Sequence, residues 1–202
     1  MTDDPSRGWN AVAADFMKAR SDAGVDVVER WARQLPSGAA VLDIGCGSGA
    51  PVGTALVGAG LQVWGVDASP ALVDAFRRRL PGSPVACEPA ESSAFFGRRF
   101  DGAVAIGLLF LLPAEDQLRL LHRVAEALEP GGRFLFTAPR TACEWTDSLT
   151  GRPSRSLGEA AYGEALARAG LRLAANHRDA GGNDYFDAVR EADDGSTTSG
   201  SV

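Results

Sequence analysis

Two carboxylates are placed where ligand chemistry could happen. Asp43 sits in the apolar run 41–44, Asp67 closes the run 61–66, and glycines follow the first acid at 45, 47 and 49. Val41, Leu42 and Ile44 read as a buried strand that stops at the glycines. Glycine allows a tight turn and brings the backbone close to a ligand with no Cβ in the way. Residues 50–60 continue as a helix whose free N–H groups would face that ligand. The stretch therefore predicts a cofactor site. Gly45-x-Gly47-x-x-Ala50 formally satisfies a dinucleotide fingerprint, with Asp67 near the distance of a ribose carboxylate. Asp43 opposes that reading, because it would face a pyrophosphate of like charge at close range. It suits a ligand that carries a cation near the turn.

The elements that must position these groups alternate along the chain. Residues 1–8 are polar and expected to be flexible. A helix over 9–20 places Trp9, Val12, Ala13 and Phe16 on one side, and a second carries Val25, Val28, Ala32 and Leu35 before Pro36-Ser37-Gly38. Strand one carries the glycine motif, and strand two covers 61–66. Ser69-Pro70 then offers an N-cap and a first-turn proline to a helix with Leu72, Phe76 and Leu80. Strand three is 84–87 and strand four 100–106. Pro113 opens a long helix with the stripe Leu118, Leu121, Ala125 and Leu128, and strand five is 133–138. Ser156 and Glu159 predict a capping box for a helix reaching Ala169, with Gly170 after it. Two β-like runs follow at 171–178 and 183–189. Residues 191–202 are acidic, rich in Ser, Thr and Gly, and expected to be disordered. Five strand–helix alternations imply an α/β, mostly parallel sheet with helices on both faces, one domain over 9–190. Ligands of such sheets bind beyond the carboxyl ends of the strands, where Asp43, Asp67 and Gly107 fall.

Composition narrows the partners. A chain of 202 residues with 45% hydrophobic residues can bury a full core. The net charge of −6 disfavours a polyanion such as nucleic acid. Arg77-Arg78-Arg79 and Arg98-Arg99 have no accompanying aromatic platform and read as solvated surface. Three cysteines, at 46, 87 and 143, form no paired framework and suggest a reducing compartment. No apolar run reaches membrane-spanning length, and no signal-peptide pattern is visible, so a cytoplasmic location is expected.

Asp43-Ile44-Gly45-Cys46-Gly47-Ser48-Gly49 resembles motif I, D/E-x-G-x-G-x-G, of the class I S-adenosylmethionine-dependent methyltransferases. Val66-Asp67-Ala68-Ser69, Phe100-Asp101 and the run from Leu128 through Pro130-Gly131-Gly132 to Arg133 resemble the same family in order, so that the likeness covers roughly residues 38–190. It implies a doubly wound, Rossmann-like three-layer sandwich of seven strands, the last antiparallel. It also implies S-adenosylmethionine as cofactor. Asp43, Gly45, Cys46, Gly47 and Gly49 would hold the methionine portion, and Asp67 would accept both ribose hydroxyls. Ala68 and Ser69 would lie beside the adenosine. Glu91 would approach the adenine amine, with Ala90 and Ser92 lining it; a solvent-exposed Glu91 is the competing reading. Residues 9–35 resemble the helices that cover the cofactor in small members. There Phe16 and Arg20, one turn apart, could face it together, with Arg20 on the cofactor carboxylate. Phe16 as core and Arg20 as surface is the alternative.

Methyl transfer from a sulfonium is an in-line displacement that needs alignment and exclusion of water. A general base is required only when the nucleophile must shed a proton. His122 lies mid-helix and reads as structural. Asp147 and His177 are the weak candidates for a base, and no catalytic residue is assigned. Gly107 ends strand four on the ligand side. Leu108 and Phe110 would supply an apolar wall of the substrate pocket, with Arg140 and Trp145 from the segment 140–147, long enough to form a lid. No metal site is expected. With no inserted cap or second substrate domain in view, a small organic acceptor is favoured over nucleic acid, membrane or protein. An NAD(P)-dependent oxidoreductase and a non-catalytic binding protein on the same fold are the alternatives. Oligomeric state is not legible.

Overall fold

Strand β1 (Ala40–Ile44) is buried along its whole length, Asp43 included, and the rest of the chain is arranged around it. In the computed structural model, which describes residues 4–192, the elements that precede it are α1 (Ala13–Ala19) and α2 (Val25–Ala32). After it come α3 (Val52–Gly58), β2 (Gln62–Asp67), α4 (Pro70–Arg79), β3 (Val85–Cys87), β4 (Phe100–Ala105), α5 (Ala114–Ala127) and β5 (Leu128–Thr137). The chain ends through β6 (Cys143–Thr146), β7 (Pro153–Ser156), α6 (Glu159–Arg168), β8 (Leu171–Arg178) and β9 (Asp184–Arg190).

Seven strands form one sheet in the order β3-β2-β1-β4-β5-β9-β8. The first five are parallel to one another; β9 lies antiparallel between β5 and β8. This is the expected doubly wound sheet. Strand order reverses between β1 and β4, so a crevice opens beyond Ile44 and Ala105. Because successive side chains point to opposite faces, β1 serves two cores. Leu42 and Ile44 join Phe134, Phe136, Phe186, Tyr162 and the α5 residues Leu120, Leu121 and Val124. Val41 joins Val63, Val104 and Leu135, covered by Val28 and Trp31 of α2, Leu56 of α3 and Phe76 of α4.

Local readings are corrected at several points. The stripe of α5 runs through Gln117, Leu120, Leu121, Val124 and Ala125, while Leu118 is 40% exposed. Gln117 occupies an apolar position because its amide is fully used: Nε2 donates to the carbonyls of Leu112 and Arg155, and Oε1 accepts from the Tyr162 hydroxyl at 2.6 Å. The capping box of α6 does not form. Ser156 Oγ donates to the Pro139 carbonyl, the N-cap is Gly158 at φ +84°, and Glu159 bonds Arg140 and Asn176 instead. Segment 140–147 is not an open loop, since β6 and β7 pair as a separate two-stranded ribbon. Helix α1 is shorter than the predicted span. Residues 4–8, expected to be flexible, form bonded turns in which the Asp4 carboxylate accepts from Ser6 N, Ser6 Oγ and Gly8 N. Residues 1–3 and 193–202, covering the rest of the predicted flexible N-terminus and nearly all of the predicted tail, lie outside the described residues.

Gly102 of β4 is where α2 meets the sheet. A Cβ there would stand 2.8 Å from Trp31 Cη2 and 2.9 Å from Leu35 Cδ1. Gly102→Ala is expected to lower unfolding free energy by about 1–3 kcal/mol in a urea titration, the usual cost of overpacking. An unchanged midpoint would show that Trp31 can move aside.

Candidate functional site

The backbone of the glycine turn after β1 is tied to β2: Gly45 N and Cys46 N both donate to the Val66 carbonyl, at 2.8 and 3.1 Å. Gly45, Gly47 and Gly49 have φ of +69°, +54° and +81°, the left-handed region that favours glycine. Asp67 then fixes the rim, its Oδ2 accepting from Gly47 N at 2.9 Å and its Oδ1 from Ser69 N at 2.8 Å. Each oxygen keeps a further lone pair for a ligand. Burial pushes the Asp67 carboxyl up, and these two N–H donors pull it back.

Asp43 is 2% exposed, and its Oδ2 is buried without a hydrogen-bond partner among the described residues. Burial raises its pKa to about 7, with Arg20 opposing the rise and Asp67 adding to it. Arg20, from the end of α1, has an equally orphaned buried Nε, and burial lowers its pKa. Its guanidinium carbon lies 5.5 Å from the Phe16 ring centre, and Phe16 packs edge-on against Trp9 at 5.3 Å.

Phe16 also forms the ceiling over the motif, 3.3 Å from where a Cβ on Gly47 would be. The segment that carries this ceiling is bonded down on both sides. Arg7 pairs with Glu91 at 3.0 Å and with Asp116 at 2.7 Å. Asn10 Oδ1 accepts from Ser69 Oγ and Ala71 N, both at 3.0 Å.

Between floor and ceiling lies a cavity of about 910 Å³ including its open mouth. Of the residues singled out in the sequence, Phe16, Arg20, Asp43, Gly45, Cys46, Gly47, Asp67, Ala68, Ala90, Glu91, Gly107 and Leu108 line it. Three others lie away from it. A Cβ on Gly49 would meet Phe76 and Leu80, so that glycine serves the turn and the packing of α4. Ser69 is buried as the cap of α4, accepting from Leu72 N. Ser92 turns its hydroxyl to the Pro89 carbonyl. Arg7 and Trp9 line the cavity as well and were missed, since neither lies in a motif.

A second cavity shares Arg20, Ile106 and Gly107 with the first and continues past Phe110, Pro139, Trp145, Arg178 and Tyr185. Phe110 and Trp145 are in contact, ring centres 5.4 Å apart. Arg140 is not part of this wall, because its guanidinium pairs with Glu159 at 2.7 Å. Asp147 lines neither cavity; its Oδ1 accepts from Leu149 N, Thr150 N and Thr150 Oγ1 to close the β6–β7 turn. His177 lies on β8, its Nε2 3.6 Å from Asp187 Oδ2, and lines neither cavity. His122 is on the surface of α5, 3.5 Å from Glu126.

The residues present fit the cofactor that the motif implies. An orphaned carboxylate and an orphaned guanidinium nitrogen at one cavity match the ammonium and carboxylate of a methionine group. A buried carboxylate with spare acceptor capacity matches a diol. Among the described residues, no cluster of His, Cys, Asp and Glu could hold a metal ion.

Comparison with known proteins agrees. A family profile described as "Methyltransferase domain" matches residues 41–132. The chain is 31% identical to an aklanonic acid methyltransferase from a Streptomyces, over 68% of this chain and 62% of that protein. It is 30% identical to a trans-aconitate 2-methyltransferase from Methylobacterium radiotolerans, over 90% and 78%. Another relative, a mouse tRNA (carboxymethyluridine)-methyltransferase, is 32% identical but is spanned over only 18% of its length. The fold superposes on the crystal structure of magnesium protoporphyrin IX methyltransferase from Synechocystis with a TM-score of 0.75 at 19% identity, covering 95% of this chain and 99% of that one.

Ligand binding at Asp43 should depend on pH with a defined sign. Its folded pKa, about 7, lies above the unfolded value. The free native state therefore holds more protons between the two, and this group's contribution to stability falls as pH rises through that window. An occupant with an ammonium at Asp43 binds the ionised form. Affinity for S-adenosylhomocysteine is thus expected to fall about tenfold from pH 8 to pH 6, with proton release on binding at the lower pH. Titration calorimetry in buffers of different ionisation enthalpy measures both, and a flat profile would remove Asp43 from the ligand's ammonium.

Proposed function

Because the chain belongs to the class I S-adenosylmethionine-dependent methyltransferases, we propose that it methylates a small organic molecule in the cavity beside the donor. The observation that carries the reading is the pairing of two unsatisfied charged groups, Asp43 and Arg20, across the glycine turn. Asp43 takes the ammonium of the donor and Arg20 its carboxylate. Asp67 holds the ribose hydroxyls, and Ala68, Ala90 and Glu91 border the adenine. Bound there, the donor supplies an electrophilic methyl group.

The chain's own contribution is alignment and dryness. The Phe16 ceiling and the Leu108 wall exclude water from the reacting end. Gly107, where the two cavities meet, has no side chain to separate them. The second cavity, about 1050 Å³ including its open mouth, has room for a small acceptor, and the names of two relatives, acting on aklanonic acid and on trans-aconitate, point the same way. The oxidoreductase alternative places a pyrophosphate against Asp43 and leaves Arg20 unexplained.

S-adenosylhomocysteine is expected to raise the melting temperature and NAD to leave it unchanged, since only a ligand bound by the native state stabilises it. The reverse pattern would overturn the donor assignment. Asp67→Asn should weaken S-adenosylhomocysteine about tenfold or more, through loss of a charge-assisted hydrogen bond of roughly 1.5–3 kcal/mol. Unchanged affinity in calorimetry would take Asp67 out of the ribose site.

A further inference from the structure

The second cavity lacks what most methyl acceptors need. A phenol, alcohol or ammonium acceptor must lose a proton, and a group must stand ready to take it. Among the described residues, the titratable groups on its wall are Arg20, Arg178, Asp184 and Tyr185. Tyr185 donates its hydroxyl hydrogen to Asp179 at 3.0 Å, and burial together with that carboxylate pushes its pKa up, away from any role as a base. Asp184 is engaged at both oxygens: Oδ1 lies 3.6 Å from Arg178 Nε and Oδ2 accepts from Arg140 N at 3.4 Å. With Arg20 given to the donor, Arg178 is the guanidinium that this wall leaves for an acceptor. Arg178 Nε donates to the Gly182 carbonyl, and its terminal nitrogens make no hydrogen bond among the described residues. Opposite this charged rim stands the aromatic pair Phe110 and Trp145, the latter presented by the β6–β7 ribbon.

We propose that the acceptor is a planar carboxylic acid, methylated on its carboxylate oxygen to give a methyl ester, with Arg178 as the residue that selects the anion. The proposal rests on the donor assignment above. A carboxylate is already ionised at neutral pH, so no base is required. One oxygen is held by a guanidinium while the other forms the new bond to the methyl carbon. The carbon–sulfur bond of the donor breaks as that bond forms, and its electron pair stays on sulfur. No proton is lost at any stage.

The test is a calorimetric titration of 2-naphthoic acid and of its neutral isostere 2-naphthamide into protein saturated with S-adenosylhomocysteine. The acid is expected to bind at least tenfold more tightly than the amide. That preference should disappear in Arg178→Gln, a change at a side chain 69% exposed and therefore tolerated by the fold. Equal binding of acid and amide, binding of neither, or a preference that survives in Arg178→Gln overturns the proposal. Saturation with S-adenosylhomocysteine is measured first in the same cell. Its failure would instead sink the donor assignment, so the two readings are separated.

Discussion

A carboxylate in the middle of a buried strand is the constraint to which the rest of this structure answers. Asp43 has the backbone of a core residue and the solvation needs of a surface one. Removing its charge from water is costly unless the charge is met by another. Arg20 offsets part of that cost from the ceiling, yet no direct ion pair forms between them. Both groups are left short of partners among the described residues, and the proposed donor, with charges of both signs, would complete them. A pocket preformed in this way holds its polar groups in place before the ligand arrives.

Floor and ceiling of the donor cavity are built from different kinds of interaction. The floor consists of strand ends and a glycine turn fixed by backbone hydrogen bonds within the parallel sheet. The ceiling is a short helix and a set of turns, held by Arg7, Asn10 and a few aromatic contacts. Such a segment, with few buried apolar residues, belongs to the low-stability end of a fold, where ligand entry requires it to be. Of α1 only Ala13 is buried. The partly exposed Arg7 pairs are screened by salt while the backbone bonds of the floor are not, so ionic strength acts on the ceiling first.

The parts legible in the sequence were those whose local chemistry has one solution. Apolar runs bounded by glycine and proline marked five strands, and the glycines after Asp43 marked a tight turn of left-handed backbone. Ser69 before Pro70 reads as a helix cap and is one; expected beside the adenosine, it is instead fully buried, its hydroxyl donating to Asn10 Oδ1 and accepting from Leu72 N. Long-range polar pairs left no trace in sequence spacing. Arg7 meets acids 84 and 109 residues away, and nothing near it in the chain announces either. Gln117 failed for a related reason: a polar residue shifted the apparent helix stripe by one, because its partners come from distant segments. Trp145 belongs to a ribbon whose first strand is largely exposed and carries no apolar run, so its segment resembled a loop.

The position of β9 also orders the making of the two cavities. This strand, near the end of the described residues, is laid between β5 and β8, and its first residues, Asp184 and Tyr185, belong to the second cavity. The donor cavity draws its walls from residues 5–112. During synthesis, which proceeds from the N-terminus, everything that lines the donor cavity has been made before β9 appears. The second cavity lacks part of its wall until that strand is laid beside β5. Vectorial synthesis therefore delivers every residue of the cavity at the glycine turn before the last residues of the second cavity.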